Sequence, residues 1–273
     1  MVARLCEDLD EQDHAWAQRP LDGQPYPFVL FDAMQIKVRR QGAVKATTVI
    51  LGVGADGQRE LLGLHLAYGE TEGSWNRFIE RLKTRGLSGV RVATSDAHEG
   101  LKQALHAAFP GLIWQRCQAH FRRNLIDQTP PPLRDRIDDR LDSMLTASAP
   151  ARAREALEAT MDALDGDADA AVDVLETGFD DASAVLALPP EYRRRPRTTN
   201  MVERLIEEIR RRERVVRIFP TMDAVRRLIG ARCAEQHDEW STGCRYLTME
   251  AFFAWERSQA HPDPAPTKLP QAA

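Results

Sequence analysis

The sequence has 273 residues, of which 43% are hydrophobic and 29% are charged, and this composition predicts a globular protein of one or two domains. It contains no apolar run near the roughly 20 residues that span a bilayer, and the acidic residues 1–16 do not fit a secretory signal, so we expect neither a membrane protein nor a secreted one. Four scattered cysteines suggest no disulfide framework, so the simplest interpretation is a reduced, cytoplasmic protein.

The formal net charge of −4 conceals two neighbouring segments of opposite sign. Residues 133–190 contain 14 acidic side chains and 5 arginines, whereas residues 191–217 contain 10 arginines and 5 glutamates. A concentrated basic segment is typical of proteins that bind nucleic acid. A solvated helix face would explain this segment, taken alone, equally well.

The first half of the sequence predicts a sheet with helices around it. Residues 1–25 are interpreted as a lead-in with one short amphipathic stretch. Apolar or alternating runs predict strands at 28–31, 35–39, 46–53, 59–68, 90–94 and 112–114. The pair Asp56-Gly57 is a hairpin turn signal, and Ser74 is a candidate cap for the first helix of the following α/β part. Hairpin strands followed by βαβα units predict an α/β fold with a mixed sheet flanked by helices.

The second half of the sequence predicts helices throughout. Prolines end the first unit at 129–132, and the acidic, alanine-rich stretch up to residue 190 is predicted to be an all-α insertion. Further helices are predicted at about 201–214 and 221–240, and the proline-rich end is typical of disorder. The predicted organisation is a lead-in at 1–25, a core at 26–128 and 191–258, an insertion at 129–190 and a tail at 259–273.

Two aspartates follow apolar strands in this prediction. Asp32 ends the run 28–31, and Asp96 follows the run 90–94. Functional side chains gather at the ends of strands in α/β sheets, because loops there expose groups that a rigid scaffold holds in place. Aspartate is also a common turn former or helix cap after a strand. Either interpretation fits each residue taken alone.

A third carboxylate, Glu203, lies in a predicted amphipathic helix. Asn200 is placed as the N-cap of this helix, and Asn-x-x-Glu is close to a capping box, in which the glutamate bonds back to the cap amide. Glu207, one turn later, is a second candidate for a functional role. Three converging carboxylates suit phosphoryl transfer with two divalent ions, because hard oxygen ligands hold magnesium or manganese.

Several segments carry a resemblance as an ordered set. They are residues 19–23 (RPLDG), 31–39 (FDAMQIKVR), 95–102 (SDAHEGLK), 115–124 (QRCQAHFRRN), 197–204 (RTTNMVER), 207–220 (EEIRRRERVVRIFP) and 237–240 (HDEW). With them the chain resembles the bacterial Mutator-type insertion-sequence transposases, a branch of the DDE transposases with an RNase H-like fold. The resemblance extends from about residue 4 to about residue 258.

The resemblance implies a site and a chemistry. It assigns Asp32, Asp96 and Glu203 as catalytic residues and as ligands of two Mg²⁺ or Mn²⁺ ions that support DNA strand cleavage and strand transfer. The expected partners are the DNA of the element ends and of the target, bound by a homo-oligomer that we expect to be a dimer. Residues expected to support the active site are Cys117, His120 and Arg204. A structural role would fit Cys117 and His120 equally well. Residues expected to contact DNA phosphates are Arg39, Arg122, Arg123, Arg210, Arg211 and Arg212.

Two other functions compete with this expectation. Members of the family usually have a DNA-binding region before the first aspartate, whereas only 31 residues precede Asp32 here. The chain is therefore also interpreted as a truncated, non-catalytic fragment that binds DNA or a partner and modulates a full-length transposase. A nuclease of the same fold without strand transfer is a third candidate, which the long insertion and the basic helix around Glu203 disfavour.

Overall fold

The computed structural model describes residues 2–40, 43–55, 57–69, 71–164 and 166–260 and has a mixed α/β fold. One five-stranded sheet has the strand order β3-β2-β1-β4-β5. Its strands are β1 (Phe28–Arg40), β2 (Ala43–Ala55), β3 (Arg59–Ala67), β4 (Val92–Ser95) and β5 (Ile113–Arg116). Strand β2 is antiparallel to β1 and β3, whereas β4 is parallel to β1 and to β5. The predicted mixed sheet is thereby confirmed.

Helices surround this sheet and form most of the second half of the chain. In the described residues they are α1 (Val2–Gln18), α2 (Glu72–Thr84), α3 (Glu99–Ala108), α4 (Gln118–Asp127), α5 (Arg134–Leu145), α6 (Pro150–Asp162), α7 (Asp169–Ser183), α8 (Pro190–Arg193), α9 (Asn200–Val216), α10 (Met222–Ser241) and α11 (Glu250–Ala260). None of the helices described combines the length and the hydrophobicity that crossing a membrane requires.

Several elements differ from the prediction. The runs 28–31 and 35–39 belong to one continuous strand, because every residue of β1 has a partner in β2. Helix α2 is capped by Thr71, whose Oγ1 accepts from the Ser74 amide at 3.2 Å, so Ser74 lies inside the helix. Helices α8 and α11 were not predicted, and residues 259 and 260, expected in a disordered tail, end α11. Residues 261–273 and Asp56 lie outside the described residues.

The alternation of side chains along β1 divides the core into two layers. Leu30, Met34 and Ile36 belong to a buried cluster formed with α1, α9 and α10. Val29 and Phe31 belong to a second cluster, formed with α2 and α3 on the opposite face. Because side chains alternate with a period of two, even-numbered residues of β1 face α9. This parity places Asp32 on the side of the sheet where α9 packs.

The lead-in predicted at 1–25 is largely helix α1, which packs against α10. Trp16 and Ala17 of this helix are buried in the same cluster as Ile229 of α10. Asp13 is also buried and lies 3.8 Å from Arg226 of α10 in an ion pair. The segment is therefore part of the core layer that contains α9.

The all-α insertion has a core of its own and is attached to the sheet by buried hydrogen bonds. Residues of α5, α6 and α7 form one buried cluster, which also includes Phe121 of α4. The Gln115 side chain at the end of β5 donates to the Ala182 carbonyl at 2.7 Å and accepts from the Val185 amide at 2.8 Å. The Gln118 side chain donates to the same Ala182 carbonyl at 2.9 Å. Satisfied buried amides of this kind fix one docking geometry for the insertion.

Gly178 allows α7 to approach the sheet closely. A Cβ atom at this position would lie 2.1 Å from the Arg116 guanidinium and 2.9 Å from the buried Phe121 ring. We expect Gly178→Val to lower the free energy of unfolding by about 1–3 kcal/mol, because overpacking displaces both side chains. Urea unfolding measures this change. The comparison variant is Gly166→Val, because Gly166 has a positive φ and open space around it, so that only backbone strain acts there. An unchanged unfolding midpoint for Gly178→Val would contradict the described packing of α7.

Candidate active site

The register of the parallel strands brings Asp32 and Asp96 to the same level of the sheet. Leu30 of β1 pairs with Thr94 of β4, and continuing this register by two residues in each segment aligns Asp32 with Asp96. Strand β4 ends at Ser95, while β1 continues to Arg40 against β2 alone. The prediction that Asp32 ends a strand is therefore wrong, because its strand continues after the parallel neighbour has ended. Asp32 nevertheless lies beside the end of β4, where Asp96 follows.

Glu203 lies in the first turn of α9, and its neighbours differ from the prediction. The N-cap of α9 is Thr199 and not Asn200, and no capping hydrogen bond comes from its side chain. The Glu203 carboxylate accepts from the Thr199 hydroxyl at 3.3 Å instead of from a cap amide. The predicted capping box is therefore wrong. Glu207, the alternative carboxylate, is exposed one turn further along α9.

Cys117 and His120 come together with Glu203. Cys117 precedes α4, and its Sγ accepts from the amide and the hydroxyl of Thr199, both at 3.3 Å. His120 Nε2 lies 3.5 Å from Glu203 Oε1. One ligand atom of each of Cys117, His120 and Glu203 lies within 4.8 Å of the other two. Thr199, which the sequence analysis did not single out, contacts both Cys117 and Glu203 and links α4 to α9.

The electrostatics of Asp32 show which charges converge on it. Burial is the largest cause that raises the pKa of Asp32 to about 6, and the carboxylates of Asp96 and Glu203 raise it further. The Ala33 amide, which donates to the Asp32 carboxylate at 2.8 Å, and the His120 ring act in the opposite direction. Asp32, Asp96, Glu203 and His120 therefore share one electrostatic environment.

The Cys117–His120 pair is polarised by its surroundings. Interaction with the Cys117 thiol is the largest cause that raises the pKa of His120 to about 8, with Glu203 and Asp32 adding to it against the effect of burial. Burial raises the pKa of Cys117, but hydrogen bonds with His120 and Thr199 outweigh it and lower the pKa overall. A protonated His120 between Cys117 and Glu203 would orient the Glu203 carboxylate by attraction.

Two sets of possible metal ligands share Glu203. Asp32, Asp96 and Glu203 offer only carboxylate oxygens, the hard donors that Mg²⁺ and Mn²⁺ prefer. Cys117, His120 and Glu203 offer sulfur, nitrogen and oxygen, a mixed set that suits Zn²⁺. Burial is the largest cause that raises the pKa of Asp32, and the smaller repulsion from Asp96 and Glu203 is a cost that a divalent cation between the carboxylates would remove. The residues present therefore fit a hard divalent cation.

The raised pKa of Asp32 predicts a stability effect in the metal-free protein. The folded state holds the Asp32 proton up to about pH 6, whereas the ordinary pKa of the group is 3.8, so stability falls as pH rises between these values. We expect Asp32→Asn to raise the free energy of unfolding by about 1–3 kcal/mol at pH 7 and to have almost no effect below about pH 4. Urea unfolding in EDTA from pH 4 to pH 8 checks this. Destabilisation by Asp32→Asn at pH 7 would contradict the assigned environment.

The arginines singled out from the sequence, for DNA contact or for support of the active site, fall into two groups. Arg122 forms ion pairs with Asp138 and Asp142 of α5, so its charge is already neutralised within the protein. Arg211 pairs with Glu208 at 3.1 Å, and Arg212 with Glu235 at 3.6 Å. The other arginines singled out from the sequence are exposed, namely Arg39, Arg123, Arg204 and Arg210. A role of any of these residues in DNA contact stays a prediction.

Comparisons with known proteins agree with the resemblance carried by the sequence motifs. The model of the family described as "Transposase, Mutator family" matches residues 1–243. The transposase for insertion sequence element IS1081 of Mycobacterium tuberculosis is 40% identical over 251 residues, covering 91% of this chain and 60% of that protein. The transposase for IS256 in transposon Tn4001 of Staphylococcus aureus is 36% identical over 254 residues, covering 91% of this chain and 65% of that protein.

The matched relatives are longer than this chain, which spans about 60–65% of their length. Among solved structures, a Drosophila P element transposase strand transfer complex matches 86% of this chain and 72% of that chain at 10% identity, with a TM-score of 0.27 that is too low to support an argument. The family model matches most of the chain, and this match alone assigns the chain to the family. This chain belongs to the Mutator family of transposases.

Proposed function

We propose that this chain is the catalytic core of an insertion-sequence transposase of the DDE type, with Asp32, Asp96 and Glu203 as the ligands of two Mg²⁺ or Mn²⁺ ions. The observation that carries the proposal is the register of β1 and β4, which aligns Asp32 with Asp96 on the face of the sheet against which α9, with Glu203 in its first turn, packs. Membership of the Mutator family supports it independently. The strand order, with β2 alone antiparallel to the other strands, supports an RNase H-like sheet.

The proposed reaction has two steps at one site. A water oxygen attacks a phosphorus at the element end and the bond to the 3′-oxygen breaks, which leaves a free 3′-hydroxyl. That 3′-oxygen then attacks a target phosphorus, forms a new phosphodiester and releases a target 3′-hydroxyl. When bound, the two divalent ions supply activation of the attacking oxygen and stabilisation of the leaving oxygen.

The protein's own residues hold and orient the charged groups in this proposal. Asp32 and Asp96 are fixed by the parallel register of β1 and β4, so the sheet sets their relative position. Glu203 is held from one side by the Thr199 hydroxyl at 3.3 Å and from another by His120 at 3.5 Å. Cys117 acts through both of these neighbours and is a positioning residue. Preorganised placement of this kind removes reorganisation from the barrier.

The proposed substrate is the DNA of the element ends and of the target, processed by a homo-oligomer that we expect to be a dimer. A joining assay tests this function. Duplexes with a free 3′-hydroxyl, taken from the DNA that flanks the coding sequence, are incubated with the purified chain, a supercoiled plasmid and Mg²⁺ or Mn²⁺. We expect covalent joining of the oligonucleotide to the plasmid, and none in EDTA. Nicking without joining would favour the nuclease alternative, and neither product would favour the non-catalytic fragment.

A further inference from the structure

An arginine-rich cavity lies beside the candidate active site and is separate from the proposed ligands of the metal ions. Its volume is about 610 Å³, and it opens between α9, the end of α10 and the loop before α9. Its arginines come from three separate parts of the chain and are Arg59, Arg194, Arg195, Arg197 and Arg204. Of these only Arg204 belongs to the set singled out from the sequence. Two glutamates, Glu208 and Glu239, also line the cavity, so its lining is net positive.

These arginines lack the carboxylate partners that other arginines of this protein have. None of the five forms an ion pair, or donates a side-chain hydrogen bond, to another residue in the described part of the chain. The two glutamates are engaged elsewhere, since Glu208 pairs with Arg211 at 3.1 Å and Glu239 accepts from Gln236 at 2.8 Å. Gathering unpaired like charges is unfavourable without a counter-ion. The cavity is therefore complementary to an anion.

Aromatic rings fix two of the guanidinium groups in place. Arg59 lies over the rings of both Trp240 and Tyr246, at 5.2 Å from each centroid. Arg195 lies over the Tyr246 ring at 4.4 Å. A stacked guanidinium keeps the N–H groups at its edge free to bind phosphate oxygens. The Arg59 Nε is buried and has no hydrogen-bond partner among the described residues, so one of these donors is already desolvated and unused.

The wall of the cavity is tied to the carboxylate site. The Arg197 carbonyl accepts from the Gln118 amide at the start of α4 at 2.9 Å, and the Pro196 carbonyl accepts from the Thr94 hydroxyl of β4. Thr199, two residues after Arg197, contacts the Glu203 carboxylate. Arg204 follows Glu203 directly, so the two side chains leave α9 about 100° apart. Arg204 lines the cavity, whereas Glu203 belongs to the carboxylate site.

We propose that this cavity binds the backbone phosphate of a nucleotide in an unpaired DNA strand that runs into the carboxylate site. The inference rests on the proposed function for the identity of its ligand. Arginine guanidinium groups suit phosphate oxygens, and the volume of about 610 Å³ is in the range that encloses a ligand of nucleotide size. A nucleotide enclosed in a cavity of this volume has no room for a paired base, so the proposed ligand is an unpaired strand.

Binding of a labelled single-stranded 20-mer in EDTA, where no cleavage occurs, tests the inference. We expect the double variant Arg59→Gln/Arg195→Gln to bind at least about tenfold more weakly. The slope of log binding constant against log salt concentration should fall by about 0.7, since a single strand loses about 0.7 per phosphate contact and the cavity holds one phosphate. The matched control is Arg152→Gln/Arg154→Gln, which removes two charges from the exposed face of α6, where both arginines pair with carboxylates. The control should bind as the parent does.

Two variants that leave the net charge unchanged distinguish a site with a fixed arrangement of arginines from nonspecific electrostatic attraction. Tyr246→Leu removes the ring that holds Arg59 and Arg195, and we expect binding several-fold weaker at an unchanged salt slope. Tyr246→Phe keeps the ring and should bind as the parent does. Unchanged thermal unfolding of each variant shows that folding is intact. Because binding is measured in EDTA, without cleavage, failure of the cleavage reaction cannot be mistaken for loss of this site.

Three results would overturn the inference. One is equal weakening by the cavity and control double variants, which would mean that only total charge matters. Another is parental binding by Arg59→Gln/Arg195→Gln in a folded protein. The third is a free deoxynucleotide monophosphate that binds as tightly as the 20-mer and with the same dependence on Arg59 and Arg195, because the cavity would then be a nucleotide site and not part of a strand path.

Discussion

Asp96→Asn is expected to lower the rate of Mg²⁺-dependent strand cleavage and joining by about 1000-fold or more. Loss of a ligand to the catalytic ions removes several kcal/mol of transition-state stabilisation, and each ~1.36 kcal/mol corresponds to a factor of ten. Asp96 follows β4 directly and is half-buried beside Asp32, so the change from carboxylate to amide preserves its size and its place. Single-turnover cleavage of a labelled DNA end measures the rate.

The matched control for Asp96→Asn is Asp139→Asn, the same change at an exposed position of α5 in the insertion. We expect the control to retain the parental rate. Both variants should remain folded and bind the strand, and Asp96→Asn should unfold at or above the parental temperature because its repulsion of Asp32 is removed. This would show that the effect of Asp96→Asn on the rate is chemical. A folded, DNA-binding Asp96→Asn protein that cleaves within tenfold of the parental rate would mean that Asp96 is not a metal ligand.

Glu203→Gln is expected to lower the same rate by about 100–1000-fold, whereas Glu207→Gln should leave it within about twofold of the parent. The two residues lie one turn apart on α9 and carry the same group, so they form a matched pair. Glu203 is close to His120 and Thr199 and acts on the Asp32 carboxylate, whereas Glu207 is exposed. The amide introduced by Glu203→Gln would keep the hydrogen bond from Thr199 and lose the negative charge.

The reverse outcome would assign the third ligand to the other glutamate. If Glu207→Gln abolished cleavage and Glu203→Gln did not, α9 would have to rotate by about 40° and slide by about 6 Å to bring Glu207 to the place of Glu203. The burial of Leu205 and Ile209 opposes such a movement. Comparable losses in both variants would point to a charge requirement of the whole helix face and would contradict the specific role of Glu203.

The sheet and its two aspartates could be predicted from local patterns, but the position of Asp32 within its strand could not. Apolar runs located every strand, because the alternation and the β-branched residues of a sheet are visible over a few residues. A carboxylate inside a core strand is costly, so the local pattern favours a strand end at Asp32. The strand continues past Asp32 because β2 pairs with it through Arg40, and β4 on its other side ends at Ser95, so Asp32 lies where one neighbour stops. That termination depends on another segment of the chain.

The role of Glu203 could not be predicted from its local sequence. Locally, Asn200 and Glu203 fit a capping box, and only long-range packing decides between a cap and an active-site role. The loop that brings Thr199 to Cys117 joins residues 82 positions apart in sequence. The arginine cavity is even less predictable from the sequence, since Arg59, Arg195 and Tyr246 come from three distant segments. No periodicity or motif within one segment predicts their proximity.

The most direct test of the three-carboxylate site is anomalous diffraction from crystals of the chain grown with Mn²⁺ and a DNA strand that ends in a 3′-hydroxyl. We predict two Mn²⁺ peaks bound by Asp32, Asp96 and Glu203, with Cys117 and His120 outside the coordination shell. Crystals of Asp96→Asn under the same conditions should lose at least one peak. A single ion held by Cys117, His120 and Glu203, with both aspartates uncoordinated, would contradict the proposed site.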